Sequence, residues 1–457
     1  MTTQIELEKE LELLAKELEG QLSIEQIHKW ALETEFMKRK SKLKPEHFLL
    51  LCTFLKENIG EGSLTELCAQ LTANFKVNLT TEGLNQRFNP QAVEFMKQLY
   101  HALWMKQLAA PTAIVEKRLF RRIRILDSSS FDLSAVYPEY KGPNGSGAKI
   151  QLEYELYQGN FLNLEVQEGK ESDNSYCGAI QGDIQPGDLC LRDLGYFSRD
   201  NLLQVRQKDG YFLSRIKNST NLYRKNDQGK WEKLDLIKET EALRPGEVME
   251  LNEIRITAQT KEPLIARVIF VKLTAEQQSK RQKQINKKKK KGKSTLSSQK
   301  NISFNMYVTN IPQEMVKKEE IYDLYSLRWQ IEILFKTWKS LFGIHRVKKV
   351  KKERFECHLY GTLIKILLCS TFSFQCRKML YIKHQMEASE YKSISIAKQS
   401  LSVLVSVIIG QKESLLEIWK SIYQSIKTNG RKCRKQKKQT VFDILKISCE
   451  QILSEVA

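Results

Sequence analysis

Leu324, Leu327, Ile331, Leu334, Trp338 and Leu341 recur at helical spacing, which commits this stretch to an amphipathic helix with one buried face. At 100° per residue, Tyr325, Arg328, Glu332 and Lys339 fall within about 60° of arc beside that apolar stripe. One carboxylate then sits among two cations and a phenol at the edge of a buried surface. An acid so placed can hold a divalent metal while Arg328 and Lys339 grip phosphate. Spacing alone favours the ordinary alternative, a solvated polar flank. The rest of the chain has to decide between them.

The chain has 457 residues, of which 41% are hydrophobic, enough for a large core and about three or four domains. Seventy-four Lys and Arg against 54 Asp and Glu give a formal charge of +20, which suits a polyanionic partner such as nucleic acid. A membrane is not supported: Leu359–Cys376 is interrupted by Lys365, Leu401–Gly410 is short, and the acidic Met1–Glu19 lacks the basic-then-apolar order of a signal peptide. A cytoplasmic protein is expected. The nine cysteines show no Cys-x-x-Cys spacing and no histidine pairing suited to zinc, so they are read as reduced, mostly buried thiols.

The period changes along the chain. Gln4 to about Ala110 is helical, with Ser63 or Thr65 capping Leu64–Leu71 and Thr80/Thr81 preceding Gly83–Phe88, a pattern compatible with a helix-turn-helix. From Arg121 to Asp127 the pattern is extended, Ile123 and Ile125 alternating with Arg122 and Arg124, and Lys149–Leu156 and Phe161–Gln167 read as antiparallel partners. A short helix at Ser172–Ile180 leads through Pro186-Gly187 into the strand Asp188–Asp193. Residues 210–310 read as a β-rich insertion, with strands at Tyr211–Lys217, Glu247–Thr257 and Leu264–Leu273. Near its end, nine of the fourteen residues of Lys280–Lys293 are Lys or Arg, which reads as a solvated loop able to touch phosphate. Helices return from Lys317, and Lys427–Lys438 adds seven positive charges. The expected organisation is a helical DNA-binding region (1–110), a first catalytic segment (111–209), the insertion (210–310), a second catalytic segment (311–380) and a helical C-terminal region suited to dimerisation (381–457).

Asp127 ends the first of these strands and Asp193 the fourth, so both carboxylates are able to project from one end of a mixed α/β sheet. Either alone is more often a turn-former. With Glu332 they supply three hard oxygen ligands, the donor set that a pair of Mg²⁺ ions roughly 3.5–4 Å apart needs for phosphodiester transfer. No Walker-type glycine loop competes for the role.

These residues resemble the D-D-E transposases of bacterial insertion sequences, in the cut-and-paste group marked by Y-x(2)-R-x(3)-E-x(6)-K. Tyr325, Arg328, Glu332 and Lys339 match that signature in residue and spacing, Asp127-Ser128-Ser129 is similar to the first aspartate motif, and Asp193-x-Gly195-Tyr196 to the second. The insertion before the glutamate, together with Phe36-Met37-Lys38-Arg39 and Leu84–Val93 in the helical region, extends the likeness from about residue 25 to about 380. The resemblance implies a ribonuclease H-like core. Asp127, Asp193 and Glu332 would bind two Mg²⁺ or Mn²⁺ ions, and Tyr325, Arg328 and Lys339 would hold DNA phosphates. It further implies cleavage at the inverted-repeat ends of an element, passage through a hairpin, joining to target DNA, and a homodimer that pairs two ends. Hairpinning in the family stacks a flipped base on an aromatic residue. Trp231 is read here as a buried anchor, and Trp329 and Trp338 as core.

Three other readings use some of the same residues. A transposase-derived DNA-binding regulator would have lost a metal ligand, and all three acids are present. A tyrosine recombinase using Tyr325 needs an arginine and histidine cluster that His345, His358 and His384 do not form. A two-metal DNA nuclease would use the same site for hydrolysis alone.

Overall fold

The computed structural model describes the chain except for residues 1–11, 13–14, 17–18, 21, 40, 56–57, 110–118, 217–219, 257–261, 291–302, 409–413, 434–440 and 446–457. The acidic start, the last three residues of the lysine run and much of the Lys427–Lys438 cluster lie outside the described residues.

The N-terminal region is built from α1 (Ile24–Glu33), α2 (Pro45–Thr53), α3 (Leu64–Phe75), α4 (Thr81–Arg87) and α5 (Pro90–Ala109). Ser63 starts α3 with a capping box, its hydroxyl accepting from the Glu66 N–H while Glu66 accepts from the Ser63 N–H. Lys76, at φ 57°, ends α3 in the left-handed conformation, and Thr80 caps α4 through the Gly83 N–H. The caps expected from sequence are thus in place, with α3 one turn longer than expected.

Five strands form the central sheet: β1 (Ile123–Asp132), β3 (Gly145–Glu155), β4 (Asn160–Glu168), β5 (Leu189–Arg192) and β6 (Tyr211–Arg215), with the two-residue β2 (Lys141–Gly142) on the far end of β3. β3 runs antiparallel to β1 and β4 antiparallel to β3, while β5 and β6 run parallel to β1, giving the order β4-β3-β1-β5-β6. This is the ribonuclease H-like arrangement. Crossovers supply α6 (Asp173–Ala179) and α7 (Arg199–Gln207).

Two expectations are corrected here. Tyr211–Arg215, read from sequence as the first strand of the insertion, pairs in parallel with β5 as a core strand. β7 (Leu222–Lys225), β8 (Trp231–Lys233), β9 (Val248–Ile256), β10 (Leu264–Lys272) and β11 (Phe304–Thr309) extend the central sheet through the β6–β11 pairing, with α8 (Leu236–Glu241) between β8 and β9. The lysine run is helical rather than a loop, lying mostly in α9 (Ala275–Lys290). Thr274 accepts from the Gln277 N–H at its start, and Lys280 pairs with Glu276 one turn back, so local bonds favour helix despite the repelling charges.

The remaining helices are α10 (Ile321–Ser326), α11 (Trp329–Ser340), α12 (Lys352–His384), α13 (Glu390–Gln399), α14 (Leu404–Ile408), α15 (Leu415–Asn429) and α16 (Val441–Ile444). By length and hydropathy, Lys352–Tyr381 of α12 could cross a membrane, against the expectation from sequence, yet 83% of its apolar window is buried against the protein itself. It packs on α2, α5 and α13 and serves as the central strut of the helical layers. Seven of the eight described cysteines are buried, and all eight are free thiols.

Candidate active site

Alternation along β1 sends Ile123, Ile125 and Asp127 to the sheet face covered by α11, and the same parity places Leu189, Leu191 and Asp193 there from β5. Arg124, on the opposite face, is fully buried. It donates to Glu153 from Nε at 3.1 Å and Nη2 at 2.6 Å and pairs with Asp188, while Arg192 donates to the same Glu153 at 3.0 Å. This buried ionic layer cross-links β1, β3 and β5 just upstream of the two aspartates.

The helix expected over Tyr325–Lys339 is two helices. Between α10 and α11, i→i+3 bonds from Leu327, Arg328, Gln330 and Ile331 tighten the turn, and Arg328 lies at the junction. The junction keeps the four signature residues on one side and brings Arg328 inward, only 8% of its side chain exposed. Its guanidinium touches all three acids: Nη1 to Asp127 Oδ2 at 3.0 Å, Nη2 to Glu332 Oε1 at 2.5 Å, and Nε to Asp193 Oδ1 at 3.9 Å. Tyr325 Oη donates to Asp193 Oδ1 at 3.2 Å, and Lys339 Nζ donates to the Ser130 carbonyl at 3.1 Å.

Burial pushes Asp127 up to about 6; the Ser128 N–H and Arg328 pull it back, while Asp193 and Glu332 add to the rise. Burial opposes the charge on Arg328, but Tyr325 and the three acids more than offset this and hold it firmly protonated. Burial, with Asp193 alongside, lifts the Tyr325 phenol far above its ordinary range, so it stays a neutral donor. Burial lowers the Lys339 amine. Side-chain exposure rises from 20% at Asp127 to 40% at Asp193 and 53% at Glu332, so the cluster opens to solvent on the glutamate side.

Three hard carboxylates converging on a single delocalised cation fit a divalent metal chemically, because the acids already share one compensating positive charge. Among the described residues, no three Asp, Glu, His or Cys side chains stand together in metal-holding geometry. Arg328 occupies the space between the acids, its guanidinium within 4 Å of each. All six residues singled out from sequence are therefore near this centre, five of them within one set of contacts and Lys339 beside β1.

The tryptophans are corrected in part. Trp338 is buried as expected, but Trp329, between Arg328 and Glu332, is 58% exposed. Trp231 is half-buried on β8, with Lys225 and Arg255 over its ring at 5.4 and 5.7 Å, rather than a core anchor.

Residues 118–368 match the family described as transposase DDE domain. The chain is 38% identical to the transposase for insertion sequence element IS231E of Bacillus thuringiensis subsp. finitimus, covering 98% of this chain and 97% of that one. It is 35% identical to the transposase for insertion sequence element IS1151 of Clostridium perfringens, over 96% of this chain and 97% of that one.

Proposed function

The chain belongs to the DDE transposases of bacterial insertion sequences, and on that premise we propose that Asp127, Asp193 and Glu332 bind two Mg²⁺ or Mn²⁺ ions for DNA cleavage and strand transfer at the ends of its element. As a member of this family the protein is a DNA transposase, a metal-dependent enzyme of DNA cleavage and joining. The observation that carries the site assignment is the gathering of three acids from β1, β5 and α11 around the buried Arg328.

In this reading the bound ions supply Lewis-acid stabilisation and an activated oxygen nucleophile. The protein's own groups position the DNA. Arg328 has two alternative partners, the carboxylates in the DNA-free protein and a phosphate in the DNA complex, and its planar fork suits both. Tyr325 donates its Oη proton in a hydrogen bond without adding charge, and Lys339, at the rim, contributes a point charge to the backbone. A hairpin route calls for an aromatic face near the cut bond. Trp329, exposed beside Glu332, offers one to an unstacked base. The substrate is duplex DNA with terminal inverted repeats, bound by a homodimer that pairs two ends.

Asp127→Ala, Asp193→Ala and Glu332→Ala should each abolish Mg²⁺-dependent nicking of DNA carrying the element ends while leaving end binding in EDTA largely intact. Nicking that survives all three changes would refute the site.

A further inference from the structure

On the reverse face of the same sheet, a fourth carboxylate ties the two aspartate-bearing segments together. Ser128 follows Asp127 and so points to the opposite face, where Lys149 and Gln151 of β3 lie beside it. Asp173, the first residue of α6, accepts at Oδ1 from Ser128 Oγ at 3.1 Å, Lys149 Nζ at 3.1 Å and Gln151 Nε2 at 2.9 Å. Gln151 is fully buried, and its Oε1 accepts from Tyr196 Oη at 2.8 Å. Tyr196 lies three residues beyond Asp193. The Asp173 carboxylate also closes on Gly195, where an added Cβ would stand 3.9 Å from Oδ2. At the other end of the chain of bonds, the Ser128 N–H donates to Asp127 Oδ1 at 2.8 Å.

One connected set of hydrogen bonds therefore runs from Asp127 through Ser128, Asp173 and Gln151 to Tyr196, beneath the acids and across β1, β3 and the turn after β5. Capping α6 does not explain it: Ser172 already accepts from the Ser175 N–H, and the Asp173 side chain turns to the strands. Three donors on one carboxylate oxygen make a strong, geometrically specific knot. We propose that Asp173 is a positioning residue that sets the separation of Asp127 and Asp193, an inference that rests on the two-metal reading above. It touches neither DNA nor metal and acts through Ser128 and Tyr196. Placement of first ligands by their hydrogen-bonded supports is what such networks control in metal sites.

The test compares full-length wild type with Asp173→Ala and Asp173→Asn in three measurements: Mn²⁺ binding by electron paramagnetic resonance, single-turnover cleavage of prebound end DNA, and end-DNA affinity in EDTA. Asp173→Ala should weaken Mn²⁺ binding and slow cleavage by about tenfold or more, with DNA affinity changed by less than about twofold. Asp173→Asn, which keeps an oxygen acceptor at the same reach, should recover most of both losses. Wild-type Mn²⁺ affinity and cleavage in Asp173→Ala would overturn the proposal. Should that variant fail to fold, Ser128→Ala and Tyr196→Phe each delete one hydroxyl of the network. Their losses should fail to multiply in the double variant, whereas independent, multiplying losses would count against it. Absence of Mn²⁺ binding in the wild type would instead sink the two-metal reading itself.

Discussion

Arg328 is the residue on which the site turns. A guanidinium 8% exposed would be costly alone, and it is stable here because three carboxylates and a phenol surround it. Burial, against the pull of Arg328 and the Ser128 N–H, makes Asp127 reluctant to ionise. Its pKa of about 6 lies above the ordinary 3.8, so the metal-free fold takes up a proton that the unfolded chain would release. That contribution to stability is present below pH 3.8 and lost as pH rises through about 6. Metal binding has the opposite sign, because a ligand carboxyl must be deprotonated. Mn²⁺ affinity, followed by calorimetry, should therefore tighten as pH rises to about 6 and level off above it. Asp127→Asn should weaken binding and flatten the profile; a profile that keeps its rise in that variant would assign the titration to another group.

Between elements, close backbone approach decides how the helical layers seat. Gly361, in the middle of α12, faces α2 so closely that a Cβ would meet the Cys52 carbonyl oxygen at 2.3 Å. Backbone cannot give way as a flexible side chain would. Gly361→Ala should therefore destabilise the protein by about 1–3 kcal/mol, despite alanine's better helix propensity. Thermal unfolding checks this directly, and a melting temperature at or above wild type would show that α2 and α12 have slack between them. Within the sheet, Glu153 plays the corresponding part. It is buried, yet Arg124 and Arg192 more than offset that burial and bring its pKa down to about 2, so the charged layer beneath the site stays ionised through the working pH range.

For the whole molecule, the central fact is one continuous sheet of eleven strands linking the acid-bearing core to the insertion. The formal charge of +20 is a property at this scale, and it bears on association with DNA more than on fold. Affinity for end-bearing duplex should fall with salt along a log–log line whose slope is about −0.9 per phosphate neutralised. Binding that ignores salt between dilute and physiological buffer would remove electrostatics as the source of affinity.

Local periodicity was enough to place the signature face, Asp193 just past the end of β5, and the Ser63 and Thr80 caps, because each depends on backbone geometry within a few residues. The family, and with it the ribonuclease H-like core, was legible for the same reason: its motifs are short and fixed in spacing. What sequence misread depends on partners far away in the chain. Asp127, expected to end its strand, is instead the fifth residue of the ten-residue β1, because pairing with β3 continues to Asp132. That Arg124 is buried, for example, could not be read from its strand alone, because the Glu153 that pairs with it arrives from a neighbouring strand. Tyr211–Arg215 looked like insertion, and joins the core because β5 is free to pair on that side. Trp329 looked like core because it borders an apolar stripe, and the tightened turn at Arg328 leaves it exposed. The Asp173 knot brings together residues from four segments, a convergence that only tertiary packing creates.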